Sequence, residues 1–269
     1  MMLDIRNKFA VLVASCDKYS DLWKPFFKLF WRFWPDCPFN VYLLSNRVIP
    51  DIPRVNNVLV GDDLSWSDSL CRGVNQLKEE YIFLFLDDLF LYDFVETNKV
   101  LKVFNWILES NANYVRMNPS QKPDKPYNEF VGIVSKGSIY RTSTVLSVWK
   151  KGILLDLLKA GESAWDFEVH GSVRSDSHDG FYSTWEGCFQ VVNCVIKNKW
   201  DRNAVRKIRS LGINIDLTKR HVMSKSEMMI LYFQEIRSKL FKTIIPAKYR
   251  RKIKDVILNG KYNYSPVKK

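Results

Sequence analysis

Two adjacent aspartates, Asp87 and Asp88, stand inside an otherwise apolar stretch of the chain. Six apolar or aromatic residues precede them at 81–86, and apolar residues resume at Leu89. Neighbouring carboxylates repel each other, and their removal from water is costly unless their charge is compensated. A divalent cation is the simplest compensation, and Mn²⁺ or Mg²⁺ prefers oxygen ligands and often shares them with substrate phosphates. The pair therefore predicts a metal site that holds a diphosphate. The alternatives are a helix cap and a pairing with Lys or Arg.

Further acids and aromatic rings follow the other predicted strands. Asp17 and Tyr19 come after the first apolar run, and Asp63 and Trp66 come after the third. Open α/β sheets bind ligands at the carboxyl ends of their strands, so these side chains are expected at one edge. An acid there can bind ribose hydroxyls and a ring can pack on a base. We therefore predict that these four residues contact a nucleotide, although each also suits a turn or a helix cap.

The segments that position these residues alternate between strand-like and helix-like patterns through residue 118. This βαβ rhythm predicts an α/β fold with a mainly parallel, doubly wound sheet. A strand over 137–143 and one or two helices over 145–161 are predicted further along. The predicted strands of the first half are 9–15, 40–46, 56–61, 81–86 and 113–119.

Three segments in this order resemble bacterial glycosyltransferases of the GT-A fold that build surface polysaccharides such as capsule and O-antigen. They are "VLVASCDKYSDLW", "SWSDSL" and "YIFLFLDDLFL", and the later "WDFEVHGSVRS" and "NKWDRNAV" extend the resemblance over residues 9–220. The "LDD" is a variant of the DxD metal motif of that family, which leaves open which aspartate touches the metal. The resemblance implies a hexosyltransferase with a nucleotide-sugar donor, most often UDP-linked, bound with Mn²⁺ or Mg²⁺. It places Asp17 and Tyr19 near the nucleoside, and Asp87 and Asp88 near the ribose, diphosphate and metal.

An inverting enzyme also needs a carboxylate that takes the proton of the acceptor hydroxyl. The segment "WDFE" offers Asp166 and Glu168, and the resemblance places an acidic residue beside an aromatic acceptor platform in this part of the chain. Glu168 is the preferred base, Asp166 is the second choice, and Trp165 is a candidate to stack on a sugar face. The alternative is an exposed acidic turn with Trp165 in the core.

Three later residues are weaker candidates for the same site. GT-A enzymes often complete the metal shell with a late histidine, and His221 is the best placed of the three histidines. Lys199 and Arg220 are candidates to bind the diphosphate. A hydrogen-bonded surface histidine and ordinary surface charge are the respective alternatives.

The net charge of +12 is concentrated at the C-terminal end. Residues 236–269 carry eleven Lys or Arg and one acid, Asp255, whereas the preceding residues are close to neutral. Apolar residues alternate with the basic ones, which predicts an amphipathic helical surface that binds an anionic membrane. A solvated charged face and helix packing on the domain are the alternatives. No nucleic-acid partner is expected, because no reader motif accompanies the charge.

The domain plan that follows has a catalytic domain at 1–222 and a basic helical tail at 223–269. Residues 1–118 form the nucleotide-sugar-binding half, and 119–222 form the acceptor half. The chain shows neither a signal-peptide pattern nor an apolar run of spanning length, so we expect a cytoplasmic protein, peripheral on the inner face of the cytoplasmic membrane.

The predicted function is metal-assisted, inverting sugar transfer from a nucleotide-sugar donor to a glycan acceptor that is lipid-linked. Two other functions remain open. One is a metal-dependent nucleotidyltransferase or phosphohydrolase that uses the same acid pair. The other is a non-catalytic module that binds a nucleotide or a glycan.

Overall fold

The structure is a computed structural model that describes residues 5–119, 122–257 and 260. Lys261, Lys268 and Lys269 of the predicted basic tail lie outside the described residues. The helices are α1 (Ser20–Phe33), α2 (Trp66–Gln76), α3 (Thr97–Ser110), α4 (Lys151–Leu157), α5 (Ala164–Asp166), α6 (Ser172–Arg174), α7 (Arg202–Ser210), α8 (Lys225–Ile244) and α9 (Ala247–Ile257).

Nine strands form the central sheet in the order β3-β2-β1-β4-β9-β6-β10-β8-β7. Seven of them run in one direction, and β8 and β9 run opposite. The predicted α/β class and mainly parallel sheet are therefore confirmed. The sheet strands are β1 (Phe9–Ala14), β2 (Asn40–Ser45), β3 (Asn56–Leu59), β4 (Tyr81–Leu86), β6 (Tyr114–Arg116), β7 (Lys125–Pro126), β8 (Val131–Ile133), β9 (Ser147–Lys150) and β10 (Phe181–Thr184). Outside the sheet lie β5 (Leu89–Leu91), which pairs with β11 (Val191–Asn193), and β12 (Val195–Ile196), which pairs with β13 (Lys199–Trp200).

The continuous apolar runs become the inner strands because the sheet is covered on both faces. Every residue of β1 is buried, as are five of the six residues of β4. On one face α1 packs its aromatic side against the sheet, with the ring centroids of Phe26 and Phe30 6.4 and 5.8 Å from that of Phe85. On the other face α2 approaches β2 so closely that a Cβ at Gly73 would lie 2.4 Å from Leu44. This packing fixes the edge at which β1 and β4 end.

The strand β9 overturns two predictions from sequence. Residues 137–143 are irregular rather than a strand, and 147–150, predicted as helical, form β9 between β4 and β6. Val148 and Trp149 are fully buried there. A β-branched and an aromatic side chain favour a strand where a sheet offers them two covered faces, and that context overrides the local pattern. The antiparallel direction of β9 brings the beginning of this strand beside the end of β4.

The basic C-terminal segment folds back onto the rest of the chain. The Arg251 guanidinium on α9 is buried, forms an ion pair with Asp176 and donates hydrogen bonds to the carbonyls of Ser138 (2.6 Å) and Ser172 (3.0 Å). Phe241 on α8 packs against Ile139, Val169 and Val173. Helix packing on the domain, one of the alternatives for the tail, is thus what α9 shows. Among the described residues, no helix combines the length and apolar character that a membrane span requires.

Candidate active site

A cleft of about 660 Å³ opens at the edge where β1 and β4 end. The turn between β4 and β5 supplies Asp87 and Asp88, and the residues after β1 supply Ser15 and Tyr19. Other walls come from α2, from the segment before β9, from the segment around β12 and from α8. Of the residues predicted from sequence, those that line the cleft are Tyr19, Asp63, Trp66, Asp87, Asp88, Trp165 and Glu168.

Asp87 is buried and is held by the end of β1. Ser15 Oγ donates a hydrogen bond to Asp87 Oδ2 and accepts one from Trp23 Nε1 at 2.6 Å. Burial and the neighbouring Asp88 charge raise the pKa of Asp87 well above its usual range, and the Ser15 bond opposes this rise. The Trp23–Ser15 pair therefore fixes the direction of the carboxylate without neutralising it.

One carboxylate oxygen of Asp88 has no hydrogen-bond partner in the described part of the chain. This atom, Oδ1, is also buried. Burial raises the pKa of Asp88 to about 6, against the lowering effects of its own backbone N–H and of Arg220. Ser69 Oγ, on the α2 wall of the same cleft, is likewise buried without a partner in the described part of the chain. Buried polar atoms in native proteins are nearly always paired, so these two indicate a ligand.

Glu168 lines the same cleft from a π-helical turn, Phe167–Gly171, that joins α5 to α6 in one helical segment. Its Oε1 atom accepts three hydrogen bonds, from Ser143 Oγ (2.9 Å), Thr144 N (2.8 Å) and Thr144 Oγ1 (3.2 Å). π turns inside helices frequently mark functional positions. The described residues give Oε2 no hydrogen bond, so one oxygen is anchored and the other is available to a ligand.

The second candidate base, Asp166, is occupied elsewhere. Its side chain forms a capping box with Ser163, accepting from the Ser163 backbone N–H at 3.1 Å and from the Ser163 hydroxyl at 2.6 Å. That bonding lowers the pKa of Asp166. Trp165 is 72% exposed and lies on the cleft wall, so the alternative of a core Trp165 is wrong.

Asp17 does not line the cleft. Its carboxylate accepts hydrogen bonds from the backbone N–H groups of Asn46 (2.9 Å), Arg47 (3.0 Å) and Val48, and its own N–H donates to Asn46 Oδ1. An acid with this many backbone donors organises the loop after β2, which is the turn-forming alternative noted for Asp17. Its contact with a nucleoside stays a prediction that the geometry does not favour.

The three late candidates also lie outside the cleft lining. Lys199 pairs with Glu227 on α8 at 2.5 Å, and His221 is exposed, its carbonyl accepting from Trp200 N. Arg220 is buried and pairs with buried Asp21, with Nε 2.9 Å from Oδ2. Its guanidinium also lies 4.0 Å from the ring centroid of Tyr19. Arg220 therefore packs against Tyr19, which lines the cleft, and its guanidinium is used by Asp21 rather than exposed to a diphosphate.

Arg220→Gln tests that placement. Because it would leave Asp21 charged, buried and unpaired, we expect a loss of about 3–5 kcal/mol in the free energy of unfolding. Chemical denaturation would measure it, with Lys199→Gln, which breaks an exposed and therefore weak ion pair, as the matched control. Equal stability of the two variants would contradict a structural role for Arg220.

Several cleft residues have no motif that sequence reasoning recognises. Lys197 and Asn198 come from the turn between β12 and β13, and both have positive φ (50° and 62°). Leu231 and Gln234 come from α8, which the sequence assigns to a separate tail. For Lys197 and Asn198, the sequence offers one signal: the polar "KNK" segment between two short strand patterns, which is typical of a turn. No signal pointed to Leu231 or Gln234, whose position depends on how α8 packs.

The oxygen donors of the acid pair fit Mg²⁺ or Mn²⁺, and the unpartnered Asp88 Oδ1 gives such an ion a place to bind. Among the described residues there is no group of three His, Cys, Asp or Glu that could hold a metal ion. His221 therefore does not join the pair in a three-residue site. Two carboxylates leave most positions of an octahedral ion to water or substrate phosphates, which is how Mg²⁺ is usually bound.

The sequence matches no protein-family model, and no curated protein matches it. Similar solved structures include S. aureus TarS 1-349 in complex with UDP, with 11% identity, a TM-score of 0.46, and coverage of 91% of this chain and 77% of that one. Another is UTP-bound UGPase from Acinetobacter baumannii, with 11% identity, a TM-score of 0.46, and coverage of 83% and 98%. A third is mannosyltransferase PcManGT from Pyrobaculum calidifontis in complex with GDP-Man and Mn²⁺, with 13% identity, a TM-score of 0.43, and coverage of 76% and 61%.

In two other TarS structures this chain spans 59% and 41% of the matched chain. At these identities and with TM-scores below 0.5, the likenesses carry no argument about function. The functional inference rests on the residues of the cleft.

Proposed function

We propose that the protein is a metal-dependent glycosyltransferase of the GT-A type that transfers a sugar from a nucleotide-sugar donor, most simply a UDP-sugar. One observation carries the proposal. Asp88 and Ser69 each have a buried side-chain oxygen without a partner among the described residues, and both line a cleft of about 660 Å³ that Glu168, with only one carboxylate oxygen anchored, also lines. A cleft of this size accommodates a nucleotide sugar.

Asp88 is the residue that would hold the cation most directly, with Asp87 beside it. When bound, Mn²⁺ or Mg²⁺ supplies positive charge that stabilises a leaving diphosphate. Ser15 and Trp23 keep Asp87 in one orientation, so the pair needs little rearrangement. Tyr19 and Trp66 are the rings that could pack against a base or a sugar. Asp63 is the acid that could bind the ribose hydroxyls, and its Oδ2 atom lies 3.1 Å from Lys18 Nζ.

Glu168 is the proposed base of an inverting transfer. The acceptor hydroxyl oxygen forms a bond to the anomeric carbon of the donor as the bond from that carbon to the phosphate oxygen breaks. The hydroxyl proton passes to Glu168 Oε2, and the nucleoside diphosphate leaves. Ser143 and Thr144 hold Oε1, which limits the rotation of the carboxylate and leaves its other oxygen available to the acceptor hydroxyl.

Product analysis separates this function from its alternatives. With a panel of nucleotide sugars and Mn²⁺, the proposal predicts release of nucleoside diphosphate that depends on an added glycan acceptor. Release of pyrophosphate or inorganic phosphate would instead indicate a nucleotidyltransferase or a phosphohydrolase. Nucleotide binding without turnover on any donor would indicate a non-catalytic module. A thermal-shift panel of nucleotides with and without Mn²⁺ would first identify the base.

We further propose that the acceptor is lipid-linked, in surface polysaccharide synthesis, and that α8 binds an anionic membrane. Met229, Phe233 and Leu240 are 54–62% exposed and follow helical spacing along one side of α8, continued by Ile236 and Ile244. Leu231 and Gln234, which line the cleft, lie on the opposite side of the helix by the same spacing. Lys225, Arg237 and Lys239 flank the apolar side, and this basic border favours anionic lipid over a second apolar helix.

Met229→Ser with Phe233→Ser is therefore expected to weaken binding to anionic vesicles by about tenfold or more, because two exposed apolar side chains no longer enter the interface. Vesicle co-sedimentation would measure it. Ile49→Ser with Leu64→Ser is the control, because it changes two apolar residues elsewhere that are at least as exposed. The same loss in both double variants would argue against α8 as the lipid-binding face.

A further inference from the structure

A second, smaller pocket lies apart from the cleft, where α9 begins beside the end of β6. Among the residues that the structure describes, the two cavities share no lining residue. Of the eight described residues that line the small pocket, three are basic and one, Asp124, is acidic. Asp124 is already committed, because its Oδ2 atom accepts hydrogen bonds from Ser135 N at 2.7 Å and Ser138 Oγ at 2.8 Å.

Arg116 forms the base of this pocket and is only 1% exposed. Its Nε atom lies 3.4 Å from Tyr114 Oη, and its Nη2 atom donates to the Tyr140 carbonyl. Its Nη1 atom is buried and has no hydrogen-bond partner among the described residues. A buried guanidinium N–H without an acceptor is costly, so Arg116 Nη1 favours a ligand that brings an acceptor oxygen.

More positive charge surrounds the same point. Arg250 is fixed at the pocket by hydrogen bonds from its Nε and Nη2 atoms to the carbonyls of Ile245 and Lys242, and Lys122 lines the opening. Burial, followed by the charges of Lys254, Arg116 and Arg250, lowers the pKa of Lys242. Arg116 and Arg250 therefore lie close enough to act electrostatically on a third cation, so positive charge is concentrated at this point of the fold.

The eleven-residue helix α9 adds a favourable dipole. Its first residue, Ala247, lines the pocket, and the first N–H groups of a helix have no acceptors within the helix. The positive end of a helix attracts anions, phosphate groups above all. The helix terminus and the unpartnered Arg116 Nη1 are independent observations, and both require the same kind of ligand.

We propose that this pocket binds a phosphate group, with one phosphate oxygen on Arg116 Nη1 and the others at the opening near Lys122, Arg250 and the first turn of α9. The pocket volume of about 10 Å³ admits roughly one water-sized atom, which suits a single inserted oxygen. The phosphate belongs either to a soluble ligand or to a lipid headgroup. The site is distinct from the proposed donor cleft and does not depend on the proposed transferase activity.

Thermal unfolding in EDTA with and without inorganic phosphate tests the soluble source, with chloride matching the ionic strength. Lys122→Gln with Arg250→Gln is expected to weaken phosphate binding by at least about tenfold, the loss that one charge-assisted hydrogen bond produces. Lys24→Gln with Lys28→Gln removes the same charge from the exposed side of α1 and should bind phosphate as the wild type does. Binding of Mn²⁺ and UDP, measured in parallel, should be equal in all three proteins, which keeps a failure here separate from a failure of the proposed function.

Vesicles of phosphatidylcholine with and without phosphatidic acid test the lipid source. If the pocket variant, but not the α1 control, loses the binding that depends on phosphatidic acid, the ligand is a lipid phosphate. If the pocket variant alone loses the rise in unfolding temperature that inorganic phosphate produces, the ligand is a soluble phosphate. If neither probe separates the two variants, the pocket holds water only and the proposal is wrong. If the pocket variant does not fold, wild-type crystals soaked in tungstate provide the test. An anomalous peak within hydrogen-bonding distance of Arg116 Nη1 would support the proposal, and no peak there would contradict it.

Discussion

Replacing Glu168 by glutamine is expected to lower the rate of sugar transfer by about two to four orders of magnitude, the usual contribution of a general base. Glutamine preserves the size of the side chain, and its amide oxygen can still accept the hydrogen bonds of Ser143 and Thr144. The side chain should therefore stay in place and lose only its ability to take a proton. Nucleotide and Mn²⁺ binding, measured by calorimetry, should be unchanged.

Asp166→Asn provides the matched control for this prediction. Asp166 lies two residues away in the same helical segment, but its carboxylate is used by the Ser163 capping box and does not line the cleft. The control should keep most of its transfer rate and lose about 1 kcal/mol of stability at most through the weakened cap. Normal turnover in Glu168→Gln, or an equal loss in both variants, would move the base to another residue.

Asp88→Asn is expected to abolish Mn²⁺-dependent binding of UDP and, in metal-free protein, to raise stability at neutral pH. The pKa of Asp88 in the folded protein, about 6, lies above its ordinary value of 3.8. The unfolded chain therefore loses this proton first as the pH rises, and the free energy of unfolding falls between about pH 4 and pH 6. The difference between the two pKa values limits the loss of stability caused by Asp88 to about 3 kcal/mol. Asparagine does not ionise, so the variant avoids this loss.

Denaturation in EDTA at several pH values would measure the effect. The wild type should lose stability from pH 4 to pH 7, and Asp88→Asn should lose up to about 3 kcal/mol less, because the burial of Asp87 still contributes in both proteins. The two proteins should be equally stable only at low pH. Asp51→Asn, which removes an exposed carboxylate, should follow the wild type. Addition of Mn²⁺ should stabilise the wild type and Asp51→Asn alone, by mass action on the folded state. Parallel pH profiles for wild type and Asp88→Asn would show that the carboxylate carries no unfavourable charge.

The part of the site predicted from sequence is the part built from residues directly after parallel strands. The runs at 9–15 and 81–86 have no polar residue in their interior, so they had to be inner strands, and in a parallel sheet their ends had to meet. This places Asp87, Asp88 and Tyr19 at one cleft without knowledge of long-range contacts. Glu168 is predicted from its residue type, its aromatic neighbours and the resemblance to GT-A glycosyltransferases, and it lines the same cleft.

The remainder depends on contacts that have no local pattern. Because β9 is antiparallel, the residues that precede it, Ser143 and Thr144, arrive at the ligand edge, whereas a search after predicted strands passes over them. Asp17 shows the reverse error: its position suggests a ligand contact, but the backbone N–H groups of residues 46–48 occupy its carboxylate. Which acceptors and donors are already paired is decided by tertiary packing, and a single sequence does not reveal that.

The placement of α8 has a practical consequence for protein engineering. A long helix with exposed Met, Phe, Leu and Ile side chains is an obvious segment to delete when a more soluble, shorter protein is wanted. Here the inner side of that helix supplies Leu231 and Gln234 to the cleft, so the deletion would expose one wall of the cleft to bulk water. An inactive shortened protein would then say nothing about whether membranes matter, and point substitutions on the outer side are the safer route to solubility.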